Sequence, residues 1–208
     1  MQLRAGQDRR VFLVACFGGA LSALDSTLNI AFPAVVDAFE IDVSSLQWVI
    51  VSYVLTYAAL LLPFGRLADH VGRQRVMGCG LAVSAIALTA CGVATTFPVF
   101  LAARIAQGVG IALVLAAAPA LITLSVPEEG RARALGLFQM SIFTGFAAGP
   151  VVGGILLEVT SWRAVFLFRV PVVLGIGVVL FSTRAAAARG ATASPGAGGR
   201  VGAAGTGR

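Results

Sequence analysis

The sequence predicts an all-α integral membrane protein of six transmembrane helices. Only 12% of its 208 residues are charged and 58% are hydrophobic, and the charges stand between long apolar runs. A water-soluble domain carries about 25% charged residues, so lipid must be the solvent for much of this surface. The arginines then set an orientation. All except Arg104, Arg163 and Arg169 fall on segments of one side, among them Arg9, Arg66, Arg75, Arg133 and Arg184, and lysine is absent. By the positive-inside tendency that side is the cytoplasm, and both termini face it. The first outer loop is acidic, with Asp37, Glu40 and Asp42.

Crossing the hydrocarbon takes about 20 apolar residues, and the uncharged runs place spans at 11–36, 45–64, 76–95, 98–121, 135–157 and 164–182. The first is longer than the apolar region of about 7–15 residues in a cleavable signal peptide. The turn-like Thr95, Thr96, Phe97 and Pro98 divide the third from the fourth. The sixth is the weakest, because Arg169 stands inside it. Residues 1–10 read as a cytoplasmic N-terminal segment and 11–183 as the bundle. Residues 184–208 read as a disordered cytoplasmic tail rich in Ala, Gly and Arg, without the apolar periodicity that a packed core needs.

A net charge of +6 and a pI near 10.6 do not indicate nucleic acid, because the basic residues are dispersed rather than gathered in a patch. Cys16, Cys79 and Cys91 lie in apolar runs without metal-ligand spacing. No catalytic constellation is visible. An intramembrane serine protease would need a histidine within the membrane, and the sole histidine, His70, falls in a cytoplasmic loop. The expectation is a non-enzyme with no metal and no bound cofactor.

Two charges lie at membrane depth, where each costs about 2.5–3.5 kcal/mol on insertion scales. Asp25 stands in the first span and Arg104 in the fourth. A carboxylate held away from water can take and release protons near neutral pH, and an arginine can tune it or hold an anionic group. Asp25 could equally make a structural hydrogen bond to a neighbouring helix, and Arg104 could snorkel to the outer interface. Gln107 lies one turn from Arg104, and Gly108 and Gly110 thin that helix. The loop 65–75 carries Gly65 and Gly72, suited to a tight reversal, and Asp69 and Arg73, which can pair if the segment is helical. In the fifth span Gly145, Gly149 and Gly153 share one face and allow close helix approach, while Pro150, followed by Gly153 and Gly154, permits a bend. Trp48, Tyr53, Tyr57 and Phe143 either line a cavity or face lipid.

In this order the motifs resemble the major facilitator superfamily, specifically its fourteen-span drug:proton antiporter branch. Residues 65–75 resemble the signature loop after helix 2; Arg104, Gln107, Gly108 and Gly110 the helix-4 motif; 145–154 the helix-5 antiporter motif; 24–33 the helix-1 motif. Gln47-Trp48 and Trp162-Arg163 also fit. His70 and Gln74 stand where a basic residue is usual, and Arg169 where asparagine is usual before Val-Pro. The resemblance implies two inverted three-helix repeats forming one N-terminal six-helix half of a multidrug efflux transporter in a bacterial cytoplasmic (inner) membrane. It implies that the proton gradient is the driving force, coupled through Asp25 and Arg104. Gly65, Asp69, Gly72 and Arg73 would act as a gating loop, and the cargo would be amphipathic, often cationic molecules. A second six-helix half is called for, since the chain ends after the sixth span and tail. Three roles follow: a truncated, non-transporting fragment, a half that pairs with itself or a separate partner, or a scaffold or sensor.

Overall fold

Lipid offers no partner to backbone N–H and C=O groups, so each apolar run must satisfy them within its own helix. The computed structural model describes residues 5–192 and is helical throughout, with no strand among them. The helices are α1 (Ala5–Ala23), α2 (Thr27–Phe39), α3 (Leu46–Val71), α4 (Arg73–Val93), α5 (Phe97–Leu124), α6 (Arg131–Val159), α7 (Ala164–Leu167) and α8 (Arg169–Thr192). They supply six helical segments long and apolar enough to cross a membrane: Phe12–Phe39, Val43–Val71, Arg73–Val93, Phe97–Leu124, Glu128–Val159 and Ala164–Ser182.

Two spans are broken. The first contains a 3₁₀ turn, Leu24–Ser26, at which the Thr27 hydroxyl donates to the Leu24 carbonyl at 2.7 Å. Such back-bonding competes with the helical ladder and bends it. The sixth divides at Phe168. Pro171 has no N–H for the Leu167 carbonyl four residues back and its ring crowds that oxygen, so α7 stops there and α8 starts afresh.

Residues 65–71, expected as loop, instead continue α3, so Gly65, Asp69 and His70 are helical. A charge ends a membrane run without ending a helix. What ends this one is Gly72, at φ +104° and ψ 125°, a conformation that a residue with a Cβ rarely adopts. Its N–H bonds the Ala68 carbonyl at 3.1 Å and its own carbonyl accepts from Arg75 and Val76, so one residue links α3 to α4. Beyond it Arg73 donates to Asp69 at 2.8 Å across the turn. The expected start of the tail, at 184, falls inside α8, which runs to Thr192; the remainder lies outside the described residues.

α5 is the most buried helix, and glycines set its distance from its neighbours. A Cβ on Gly108 would sit 2.8 Å from the Tyr53 carbonyl of α3, and one on Gly80 of α4 would sit 2.8 Å from the Gly110 carbonyl. α6 meets the first span in the same way. A Cβ on Gly145 would strike the Ala20 carbonyl, one on Gly149 the Ser26 hydroxyl, and one on Gly153 would lie 2.8 Å from the Thr27 carbonyl. Gly154 has open space beside it. The closeness is used: Ser26 donates to the Phe146 carbonyl at 3.1 Å and Ser141 to the Cys16 carbonyl at 3.0 Å.

At the end of the bundle away from Gly72, Phe39, Phe97, Phe100, Trp162 and Phe166 form an aromatic cluster with ring centroids 5.4–6.3 Å apart. Arg163 closes it, stacked on Trp162 and donating to the Ala94 carbonyl at 3.0 Å. α3 and α6 remain the least covered, with Ile50, Leu55, Leu62, Phe143, Phe146 and Val151 exposed.

The Gly72 joint predicts a contrast. Gly72→Ala should cost about 1–2 kcal/mol through its positive φ and lower the thermal unfolding midpoint in detergent. Gly65→Ala, in a helix with nothing within 4 Å of its new methyl, should leave the midpoint unchanged or raise it. Equal midpoints for the two variants would contradict the assignment.

Candidate functional site

The 3₁₀ turn in the first span places Asp25 at its break, with the side chain turned inward and only 15% exposed. α5 brings Arg104 and Gln107 against it from the fourth span. Arg104 grips the carboxylate with two parallel bonds, Nη1 to Oδ1 at 2.9 Å and Nη2 to Oδ2 at 2.7 Å. This fork geometry is among the stronger charge-assisted pairings. Gln107 accepts from Arg104 Nη1 at 2.7 Å through Oε1 and donates through Nε2 to Asp25 Oδ1 at 3.1 Å. Only one orientation of its amide lets both contacts face donor to acceptor.

Arg169 is the residue that sequence reasoning missed. In the sequence it only weakens the sixth span, yet its side chain is 1% exposed. The break before α8 turns it inward, where Nη1 donates to Asp25 Oδ1 at 3.1 Å and Nε to the Val165 carbonyl at 3.0 Å. The signal was available. An arginine between Phe168 and Val170, within an apolar run, faces the same insertion cost that singled out Arg104.

Tyr53 of α3 lies beneath the Arg104 guanidinium, whose Cζ is 4.3 Å from the ring centroid, a cation–π contact strengthened by burial. Arg104 Nε also points at the Val49 carbonyl, at 3.4 Å. Arg104 is 1% exposed, so it does not snorkel. Gly108, one residue beyond Gln107, is what lets α5 lie close enough to α3 for these contacts.

A cavity of about 280 Å³ opens beside the cluster, with Asp25, Asn29, Tyr53, Tyr57, Arg104 and Phe146 in its wall. Tyr53 and Tyr57 thus line a cavity, as one of the two expectations had it. Trp48 and Phe143 stand outside it with more than half their surface exposed. Gly145, Gly149 and Gly153 belong to the packing of α6 on the first span, next to this wall. Pro150 is exposed on α6. Asp69 and Arg73 form a solvent-facing pair at the Gly72 turn, at a distance in sequence and fold from the cluster. Among the described residues no group of His, Cys, Asp and Glu is placed to hold a metal.

Comparison with known proteins gives the site a family. The Major Facilitator Superfamily profile matches residues 14–204. The riboflavin transporter RibZ of Clostridioides difficile is 32% identical over 163 residues, covering 78% of this chain and 36% of that protein. The cephamycin export protein CmcT of Amycolatopsis lactamdurans is 38% identical over 174 residues, covering 83% of this chain and 35% of that protein. The chain therefore spans about a third of the length of these relatives. The crystal structure of a bacterial homologue of the human lysosomal transporter Spinster, inward-facing and unoccupied, superposes with a TM-score of 0.69 at 21% identity. It covers 86% of this chain and 43% of that one. The chain belongs to the major facilitator superfamily and is a multi-pass membrane protein whose fold matches a six-helix N-terminal half.

The cluster predicts its own fragility. Asp25→Asn removes the one carboxylate facing two buried guanidiniums, and breaking a buried pair from one side costs about 3–5 kcal/mol. Equilibrium unfolding of the detergent-solubilised chain should show a loss of that order; a change below about 1 kcal/mol would mean the cluster is not formed.

Proposed function

We propose that this member of the superfamily is one bundle of a proton-coupled exporter of small amphipathic molecules, of the fourteen-span drug:proton antiporter branch. The observation that carries the reading is Asp25, held at membrane depth by Arg104 and Gln107 beside a cavity. Each Asp25 oxygen already faces an arginine N–H. A proton would be taken up as a guanidinium withdraws, which ties proton uptake to movement of α5 or α8 against the first span. Glycine-lined contacts of α6 with the first span, and of α5 with α3 and α4, permit such sliding, since small residues leave few interlocking side chains to lift.

The exposed apolar faces of α3 and α6 are the proposed seat of a second six-helix bundle, with cargo entering between the two. Asp69, Gly72 and Arg73 would then form a latch at the cytoplasmic end. The proposed setting is a bacterial cytoplasmic membrane with both termini inside, which the arginine distribution supports. The name of one relative, the cephamycin export protein CmcT, favours export over uptake. The proton gradient would drive the cycle without a bound cofactor.

The test is movement of one cationic and one anionic amphipathic dye across everted membrane vesicles carrying the chain, with and without an imposed proton gradient. Gradient-dependent accumulation of either dye is expected. Arg104→Ala should lower it about tenfold or more at matched membrane levels, the scale of one lost charge-assisted contact. A correctly inserted chain that moves neither dye would overturn the exporter reading and leave a scaffold, sensor or non-transporting role.

A further inference from the structure

We infer that the cavity beside Asp25 takes a ligand carrying an anionic group, a carboxylate or its chemical like, on an apolar body. This rests on reading the cavity as the cargo site and names the class of cargo.

The cluster holds one carboxylate and two guanidiniums, Arg104 and Arg169, each with a side chain 1% exposed. Arginine does not deprotonate in proteins, so a formal positive charge is left over. Every other acidic residue among those described lies within a turn of a helix end or outside the helices, from Asp8 to Glu158. None of those from Asp37 to Glu158 forms an ion pair with Arg104 or Arg169.

The hydrogen bonds show the same imbalance. Asp25 takes four bonds, from Arg104 Nη1, Gln107 Nε2 and Arg169 Nη1 on Oδ1 and from Arg104 Nη2 on Oδ2. Donors remain: Arg169 Nη2 is buried with no partner. A cationic ligand would find the one carboxylate in the wall already paired with two guanidiniums. An anionic group would meet Arg104 directly, with the hydroxyls of Tyr53 and Tyr57 and the Asn29 amide as further donors. Ile50, Val54 and Phe146 supply an apolar wall for its body. Arg169 is not itself in the cavity wall; it acts through Asp25, as a positioning residue that withholds the carboxylate and adds the surplus charge.

A carboxylate contributed by a second bundle could meet the same surplus, and the experiment separates the two sources. The purified full chain in mild detergent is dialysed to equilibrium against 1-naphthylacetate and, separately, against the near-isosteric cation 1-naphthylmethylammonium. The acetate should bind about tenfold tighter or more. Arg169→Gln should weaken acetate binding about tenfold, the scale of one lost charge-assisted interaction, while Arg169→Lys retains it, with circular dichroism melting used to show that both variants fold. Equal or tighter binding of the ammonium by the unaltered chain overturns the inference, and that comparison needs no variant. Acetate affinity unchanged in folded Arg169→Gln overturns it too. Light scattering in the same detergent decides the source: a monomer that binds the acetate supports a ligand anion. A dimer that binds neither probe and dissociates on Arg169→Gln assigns the charge to a partner's carboxylate and overturns the ligand. Acetate binding without gradient-driven dye movement would sink the exporter reading alone. Export of only the cationic dye, with no acetate binding, would sink this inference alone.

Discussion

Asp25, Arg104 and Arg169 meet inside the membrane-spanning bundle, where an unpaired charge is costly. Their pairing ties together the first, fourth and sixth spans at one point, and much of the surrounding structure serves to bring those points within hydrogen-bond reach. The 3₁₀ turn at Leu24–Ser26 aims the carboxylate. The restart of the helix after Phe168 aims Arg169. Gly108 lets α5 lie against α3, so that the guanidinium of Arg104 rests on Tyr53.

The packing follows from the same solvent. Lipid tails are as apolar as leucine, so helices gain little by hiding apolar surface from them and associate through close contact and hydrogen bonds instead. Gly80 and Gly110 provide that contact between α4 and α5, and Gly145, Gly149 and Gly153 provide it between α6 and the first span. The hydroxyls of Ser26 and Ser141 use the closeness to bond carbonyls across the seam. Where glycine is not needed for approach, as at Gly154, the neighbouring space is open, and α3 and α6 keep broad apolar faces uncovered.

How much of this was legible depended on whether a residue's cost could be read locally. Asp25 and Arg104 announced themselves because a charge inside a long apolar run has few explanations. Their pairing with each other did not, since nothing in the spacing says which of the neighbouring helices will face. Arg169 was hidden by its position near the start of the shortest run, where a charge reads as a boundary. The helical state of 65–71 was obscured for a related reason: charges mark where the hydrocarbon ends, and the backbone continues until Gly72 gives it a conformation in which to stop. The glycine face of α6 was readable from its four-residue spacing, but its counterpart, a row of carbonyls and hydroxyls on the first span, carries no comparable pattern.

The distance along the chain between Asp25 and Arg169 has a consequence for biogenesis. The two are 144 residues apart, at opposite ends of the translated bundle, and Arg104 lies 79 residues after Asp25. As spans leave the insertion machinery in order, the first enters lipid with a carboxylate that has no cation to face until the fourth arrives, and the cluster is complete only when the sixth is in place. Until the fourth span arrives the first carries an insertion cost of about 2.5–3.5 kcal/mol that the later arginines offset. The ion cluster then serves as a register of completion, one that a chain interrupted before the sixth span would fail to satisfy.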